Sequence, residues 1–384
     1  MIFTLIKMNR HDKIRILNLI RKNFLFWLSR KLDYPFIPPD AVQVNFSFKC
    51  NLRCKMCNMF EQMNFLDSQG RQTEIDSAAF RKVIKETKEL GTKVILFIGG
   101  EPFLREDLFE LVSYAKSTGL GAIIVTNGIM LKEEVIEKCF HSDVDWMSIS
   151  IDAATEKVFS KIRGEDILSK IIENINLLNS LKKKKNRAYP KTVAVCTIMN
   201  DNLEELLDVV HLCRRLEIER VLFQPVVANN IDQTQRNVNA PGFVPSPRFG
   251  ILDKAIDSLL HYKKESSQNF DFIGNSIKNL QLIKRYFRGE LKPRDLPCYA
   301  GYNRLQIVQE GKLYFCVNQE QHEANFGDIK ADSLRDLWYS KKATFYRKLI
   351  RKCKVPCLQW CSYRDDFYEV TAMIQKELLF RNRE

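Results

Sequence analysis

Three cysteines stand close together at Cys50, Cys54 and Cys57, in the stretch CNLRCKMC, with C-x3-C-x2-C spacing. The next cysteine is Cys139. Thiols gathered this closely are metal ligands by type. Structural zinc takes four ligands in a closed tetrahedron, and a [4Fe–4S] cubane also takes four. Three thiols on one loop therefore leave a coordination position open. A cubane held in this way has one iron free to bind a small molecule. A zinc site would need a fourth ligand from a distant part of the chain.

A second group of thiols comprises Cys298, Cys316, Cys353, Cys357 and Cys361. Cys298 and Cys316 flank Gly311 as C-x12-G-x4-C, and Gly311 reads as the turn of a hairpin in LQIVQEGKLYFC. The stretch CKVPCLQWC then gives C-x3-C-x3-C. Five thiols suffice for one four-ligand cluster with one to spare; structural zinc is the other reading. Cys139, Cys196 and Cys213 fall singly in helix or strand patterns, where a thiol acts as a small hydrophobe. His141, His211 and His322 show no ligand spacing.

The elements that must position these thiols follow a repeating pattern. After Pro35, Pro38 and Pro39, strand-like runs fall near 41–48, 93–100, 121–128, 146–152, 192–199 and 219–227. Helical periodicity falls over 77–90, 106–119, 132–140, 167–184 and 203–216. Six βα-type repeats with Val- and Ile-rich strands imply a parallel sheet covered by helices, as a partial barrel or an open wound sheet. The first cysteine group directly follows the first strand. That is the carboxyl end of the sheet, where such folds carry active sites. Residues 228–247 are polar and read as a long loop or lid; helices are expected near 251–264, 274–288 and 363–382. The expected organisation is a helical segment over 1–40, a barrel over 41–227, a lid with helices over 228–296, and a small α+β extension over 297–384.

The chain has 384 residues, 45% hydrophobic and 28% charged, ordinary values for a soluble globular protein. It has no apolar run long enough to span a membrane. The start, MIFTLIKMNRHDK, lacks the features of a secretory signal. A reduced, cytoplasmic protein is therefore expected, with its cysteines serving as metal ligands rather than disulfides. The net charge of +13 is concentrated at the ends: residues 1–40 carry +5 and residues 341–384 carry +6. The remainder is too nearly neutral for one basic face, so nucleic acid is not expected as a partner. In residues 10–32, Leu17, Ile20, Phe24 and Trp27 or Leu28 recur at helical spacing, with Arg21, Lys22, Arg30 and Lys31 on other faces. This basic amphipathic helix either packs on the protein body or makes a peripheral membrane contact.

C-x3-C-x2-C after the first strand of a (βα)6 partial barrel resembles the radical S-adenosylmethionine (SAM) enzymes. The resemblance implies that Cys50, Cys54 and Cys57 hold a [4Fe–4S] cluster whose open iron is chelated by SAM. An electron from the cluster then cleaves SAM to a 5′-deoxyadenosyl radical, which abstracts hydrogen from substrate. Further motifs fall in order at the strand ends: GGEP (Gly99, Gly100, Glu101, Pro102), TNG with Asn127, SID with Ser150 and Asp152, and IRG with Arg163. By resemblance these residues contact SAM, with Arg163 as a partner for its carboxylate. Glu101 and Asp152 have helix capping as a second reading. The resemblance covers roughly residues 41–227.

The later cysteines resemble the SPASM and Twitch extensions of such enzymes, which hold auxiliary [4Fe–4S] clusters. A full SPASM domain has seven cysteines, and five are present here. Cys357-x3-Cys361 matches the end of the SPASM pattern, whereas Cys353 departs from it. This favours one auxiliary cluster on Cys298, Cys316, Cys357 and Cys361, with Cys353 left over. The implied partners are a small-molecule or peptide substrate and an electron donor such as flavodoxin or ferredoxin. An RNA-modifying radical SAM enzyme and a non-enzymatic iron–sulfur or zinc protein are the alternatives.

Overall fold

The structure, a computed structural model, describes residues 10–57, 59, 64, 74–227, 248–295, 297–316, 325–353 and 357–359. The expected loop over 228–247, His322, Cys361 and the expected helix over 363–382 lie outside the described residues.

The chain opens with helix α1 (Arg10–Leu32) and then lays down a parallel sheet. Its strands are β1 (Ala41–Asn45), β2 (Val94–Ile98), β3 (Gly121–Thr126), β4 (Trp146–Ser150), β5 (Lys191–Ile198) and β6 (Arg220–Pro225). Each pairs in parallel with the next. The connecting helices are α2 (Ser77–Glu89), α3 (Leu108–Ser117), α4 (Glu133–His141), α5 (Glu156–Arg163), α6 (Leu168–Lys184) and α7 (Leu206–Arg215). Along β2, β3 and β5 the residues alternate in burial. Ile95, Phe97, Ala122, Ile124, Ala194 and Cys196 are buried in one core with the helices. Their neighbours Leu96, Ile123, Val125, Val193 and Val195, on the other face, are only half-buried.

The sequence pattern places these elements to within a few residues but misses α5. Only Phe159, Ile162 and Arg163 of this eight-residue helix are buried, too few to set a period. Thr155 caps its start, accepting from the Val158 N–H. Gly164 ends it in the left-handed conformation at φ +88°. Every expected strand also ends sooner than its apolar run, the one near 192–199 by a single residue. Residues 46–48, 99–100, 127–128 and 151–152 leave the ladder and turn over the carboxyl end of the sheet.

After β6 come α8 (Phe249–Glu265), α9 (Ser267–Phe272) and α10 (Ile277–Phe287). The edge of β6 is closed by a parallel bridge between Val221 and Ile273 and by a side chain. Asn275 is fully buried; its Oδ1 accepts from the Phe223 N–H at 2.8 Å and its Nδ2 donates to the Phe223 carbonyl at 2.7 Å. The amide thus stands in for a neighbouring strand, covering groups that would otherwise be open to pairing.

The sheet does not stop at the repeats. β7 (Arg304–Ile307) pairs in parallel with β1, Ala41 opposite Arg304 and Val44 opposite Ile307. β8 (Leu313–Tyr314) returns antiparallel to β7. The sheet order is β6-β5-β4-β3-β2-β1-β7-β8. Gly311 sits in the hairpin turn at φ +91°, a conformation that suits glycine. Helices α11 (Leu334–Tyr339) and α12 (Lys341–Arg351) follow. Arg347 of α12 is fully buried and donates to the carbonyls of Gly301 at 2.7 Å and Trp338 at 2.8 Å.

Helix α1 packs through Ile16, Asn23, Phe26 and Ser29, with Phe26 against Tyr299 and Tyr302. The stripe named from the sequence points the other way: Leu17, Ile20, Phe24 and Trp27 are all exposed. Among the described residues no helix is long and apolar enough to cross a membrane.

Candidate active site

The CNLRCKMC loop leaves the sheet after β1 and is clamped by the neighbouring strand ends. Gly100 N–H donates to the Ser47 carbonyl at 2.7 Å and Glu101 N–H to the Lys49 carbonyl at 2.8 Å. This approach has no room for a side chain. A Cβ on Gly99 would lie 2.4 Å from Ser47 O, and one on Gly100 would lie 2.1 Å from Lys49 O. Both obstacles are backbone, so neither glycine is replaceable without moving the loop. Lys55 N–H donates to the Ile162 carbonyl at 2.9 Å, which ties the loop to the end of α5. Lys55 Nζ also reaches Asp201, beyond β5, at 2.7 Å. Asn51 Oδ1 accepts from Asn127 Nδ2 at 2.8 Å, beyond β3. Met56 and Leu52 turn inward and are buried, which leaves the thiols at the margin.

Glu101 is fully buried and links two strand ends. Its Oε1 accepts from Thr126 Oγ1 at 2.9 Å and its Oε2 from the Asn127 N–H at 2.9 Å. It also caps the short turn Pro102–Leu104 by accepting from Phe103 N–H. Burial pushes its carboxyl up to about 7, against the pull of these donors. The GGEP and TNG segments are thus locked to each other by one carboxylate.

Asp152 and Arg163 form a buried ion pair between the end of β4 and the end of α5. Asp152 Oδ1 also accepts from Thr197 N–H at 2.7 Å, and its carbonyl accepts from Asn202 Nδ2 at 2.7 Å. The other arm of the guanidinium, Nη1, lies 3.5 Å from Cys54 Sγ. Burial works against the charge on Arg163, but the Asp152 carboxylate and the Cys54 thiol outweigh it and hold the guanidinium charged. Ser150, the last residue of β4, is half-buried beside this pair in sequence.

The three thiols are mutual neighbours. Burial raises Cys50, with Cys54 and Glu101 adding to the shift. Although Cys57 is exposed as a residue, desolvation of its thiol followed by repulsion from Cys54 and Cys50 pushes it up to about 11. In the second group, Cys298 and Cys316 lie half-buried at the margin of the core on either side of the β7–β8 hairpin. The Cys298 carbonyl accepts from Arg30 Nε of α1 at 2.9 Å. Cys353 N–H bonds the Ile350 carbonyl at the end of α12. Cys357 lies close enough to the Tyr286 phenol to add to the burial that raises it. Cys139 of α4, Cys196 of β5 and Cys213 of α7 are fully buried, and burial pushes all three thiols up, Cys213 to about 12.

A radical SAM superfamily model matches residues 44–213, and the model of SPASM, an iron–sulfur cluster-binding domain, matches residues 298–363. Together they span more than half of the chain. The chain belongs to the radical SAM superfamily. It is a radical SAM enzyme with a C-terminal SPASM domain. Its cofactors are a [4Fe–4S] cluster and SAM, with auxiliary iron–sulfur binding in the SPASM domain.

Solved structures share the radical SAM fold at low identity. SuiB of Streptococcus suis, bound to precursor peptide SuiA, is 14% identical with a TM-score of 0.60, covering 88% of this chain and 72% of its own. Native anSMEcpe with bound AdoMet and Kp18Cys peptide is 15% identical with a TM-score of 0.60, covering 90% and 98%.

The donor set at Cys50, Cys54 and Cys57 fits the radical SAM cluster. All three are soft thiols on one loop, and Arg163 brings a positive charge to them. Among the described residues no three His, Cys, Asp or Glu side chains converge to hold a single metal ion. A cubane spreads its thiolates over several irons and asks for a wider arrangement. The sequence did not single out Asn51, Lys55 or Asp201 for this site, and marked Thr126 only through TNG. Asn51 and Lys55 lie inside the cysteine motif, and Thr126 opens TNG, so their neighbours were signals. Asp201 carries none, because its lysine partners come from other elements.

Proposed function

We propose that Cys50, Cys54 and Cys57 hold the SAM-binding [4Fe–4S] cluster, and that GGEP, Asn127, Ser150 and the Asp152–Arg163 pair form the SAM site. The observation that carries this is the backbone clamp of Gly99 and Gly100 on Ser47 and Lys49, which fixes the thiol loop against the other strand ends. The chemistry supplied by cluster and SAM, when bound, is reductive cleavage of SAM to a 5′-deoxyadenosyl radical that abstracts hydrogen from substrate.

The chain's own residues orient and hold. Arg163 sets a positive charge beside the Cys54 sulfur and fixes Asp152. Glu101, its oxygens taken by Thr126 and Asn127, serves as a positioning residue. The half-buried inner face of β2, β3 and β5 gives substrate an apolar wall away from water.

The substrate proposed is a peptide, supported by the fold shared with two proteins bound to peptides; a small alcohol or sugar-type molecule is the other reading. The electron enters from a small carrier such as flavodoxin or ferredoxin. One auxiliary cluster is assigned to Cys298, Cys316, Cys357 and Cys361. The reading includes a peripheral membrane contact through residues 10–32. The test is 5′-deoxyadenosine formation from SAM with dithionite, without oxygen. Reconstituted wild type should form it and the C50A/C54A/C57A variant should not; a wild type that forms none overturns the assignment.

A further inference from the structure

Helix α1 is apolar on two faces. One face is buried on the body, through Ile16 and Phe26. The other leaves Leu17 65% exposed, Phe24 50% and Trp27 46%, with the Phe24 and Trp27 rings stacked at 5.7 Å. Helix α12 has the same two-sided character. Ala343, Arg347 and Ile350 are buried, while Phe345 and Leu349, four residues apart, stand exposed. An exposed aromatic next to an exposed Leu on each of two helices is a feature that water alone does not favour.

The two helices meet at their carboxyl ends. Arg351 donates to the Lys31 carbonyl at 3.0 Å and pairs with Asp33 at 2.9 Å. Just past α1, the ring of Tyr34 lies 5.9 Å from that of Tyr339, at the end of α11. Leu32, Tyr34 and Phe36 are exposed at this junction, so apolar surface runs from one helix towards the other. Basic side chains flank it. Arg15, Arg21 and Lys31 are exposed on α1, and Lys341, Lys342 and Lys348 on α12. Helix α12 contains no acidic residue, and α1 contains only Asp12.

We infer that α1 and α12 form one docking surface for a bilayer containing anionic lipid. Large apolar side chains ringed by lysine and arginine match the boundary between acyl chains and acidic headgroups. A second copy of the chain fits less well, because a two-fold contact would set these basic flanks against each other. The surface extends the membrane contact proposed for residues 10–32, and it does not depend on the radical chemistry.

The test is flotation of the full-length protein with vesicles of phosphatidylcholine alone or mixed with phosphatidylglycerol. Wild type should float with the mixed vesicles only, and high salt should release it. The pairs F24S/W27S and F345S/L349S should each lower the bound fraction about tenfold or more. Wild-type iron content in each variant shows that the fold is kept. Where a pair does not fold, the exposed-charge variant K341E/K348E carries the same test. If only F24S/W27S loses binding, the two-helix surface is wrong and the single-helix contact stands. If wild type does not float, both are wrong. A concentration-dependent dimer lost in both pairs assigns the surface to a second copy and overturns the inference.

Discussion

Cys50, Cys54 and Cys57 lie within eight residues of one loop, whereas Cys298, Cys316, Cys353 and Cys357 are spread over sixty residues and several elements. The first group is held by backbone against backbone at Gly99, Gly100 and Ile162, with the Asn51 and Lys55 side chains adding to it. The second is held by side chains: Arg30 on the Cys298 carbonyl, Arg347 inside the turn that follows it, and Arg351 on α1. Backbone contacts at this distance accept very few sequences, so the first site carries a local signature. Side-chain contacts from distant elements accept many, so the second announces itself by cysteine count, a hairpin glycine and the Cys357-x3-Cys361 spacing.

The contrast predicts separable iron. After anaerobic reconstitution, wild type should hold about eight irons per chain and C50A/C54A/C57A about four. Iron and sulfide assays on both proteins check this. If the triple variant also loses the remaining irons, the two sites are not independent and the comparison breaks.

The next largest effect is at the buried pair. Asp152→Asn leaves the Arg163 guanidinium buried without its counter-charge, which should cost about 3–5 kcal/mol in denaturant unfolding. It should also lower iron at the first site while the SPASM-domain iron stays at the wild-type level.

Glu101 gives a pH signature. Its native carboxyl keeps its proton up to about pH 7, whereas the unfolded chain releases it near 4.5. The native state binds more protons across that window, so this group lowers stability as pH rises through it, by up to about 3 kcal/mol. Urea unfolding of cluster-free protein from pH 4.5 to 8 should show this slope in wild type, and Glu101→Gln should flatten it. An unchanged slope places the titration elsewhere.

The smallest effects come from the glycines, and they sharpen the comparison. Gly100→Ala drives a Cβ to 2.1 Å from a carbonyl oxygen and should cost about 1–3 kcal/mol with loss of first-site iron. In Gly311→Ala the Cβ meets the Ile329 side chain at 3.0 Å, and side chains yield. The φ of +91° should cost about 1 kcal/mol and leave first-site iron intact. Thermal unfolding with iron assay compares the two variants.

These differences also explain what the sequence made legible. The Val- and Ile-rich runs of β2, β3 and β5 exposed the repeats, and GGEP, TNG and SID marked the strand ends. The pattern missed α5, whose buried residues are too few to set a period. It named only one of the two apolar faces of α1: Leu17, Ile20, Phe24 and Trp27 are the more regular stripe, while the buried face runs through Ile16, Asn23, Phe26 and Ser29. It left Glu101 and Asp152 between two roles, since capping and ligand contact ask for the same residue type. TNG marks Thr126 and Asn127, but their bonds to Glu101, and that of Thr197 to Asp152, join separate strands and carry no spacing signal.

The side chain of Asn275 and the late strand β7 set a clock for biosynthesis. The six repeats are complete once residue 225 is made, but the β6 edge awaits residue 275 and the β1 edge awaits residue 304. At about 5–20 residues per second, a ribosome leaves the β1 edge uncovered for roughly 4 to 16 s. Until residue 275 is made the nascent sheet is open on both sides, and from then until residue 304 on the β1 side alone, with crowding by sister chains on one message as its chief hazard. A stall or premature stop between 225 and 304 releases a sheet with an unguarded margin, so demand for chaperones should track translation speed through this stretch.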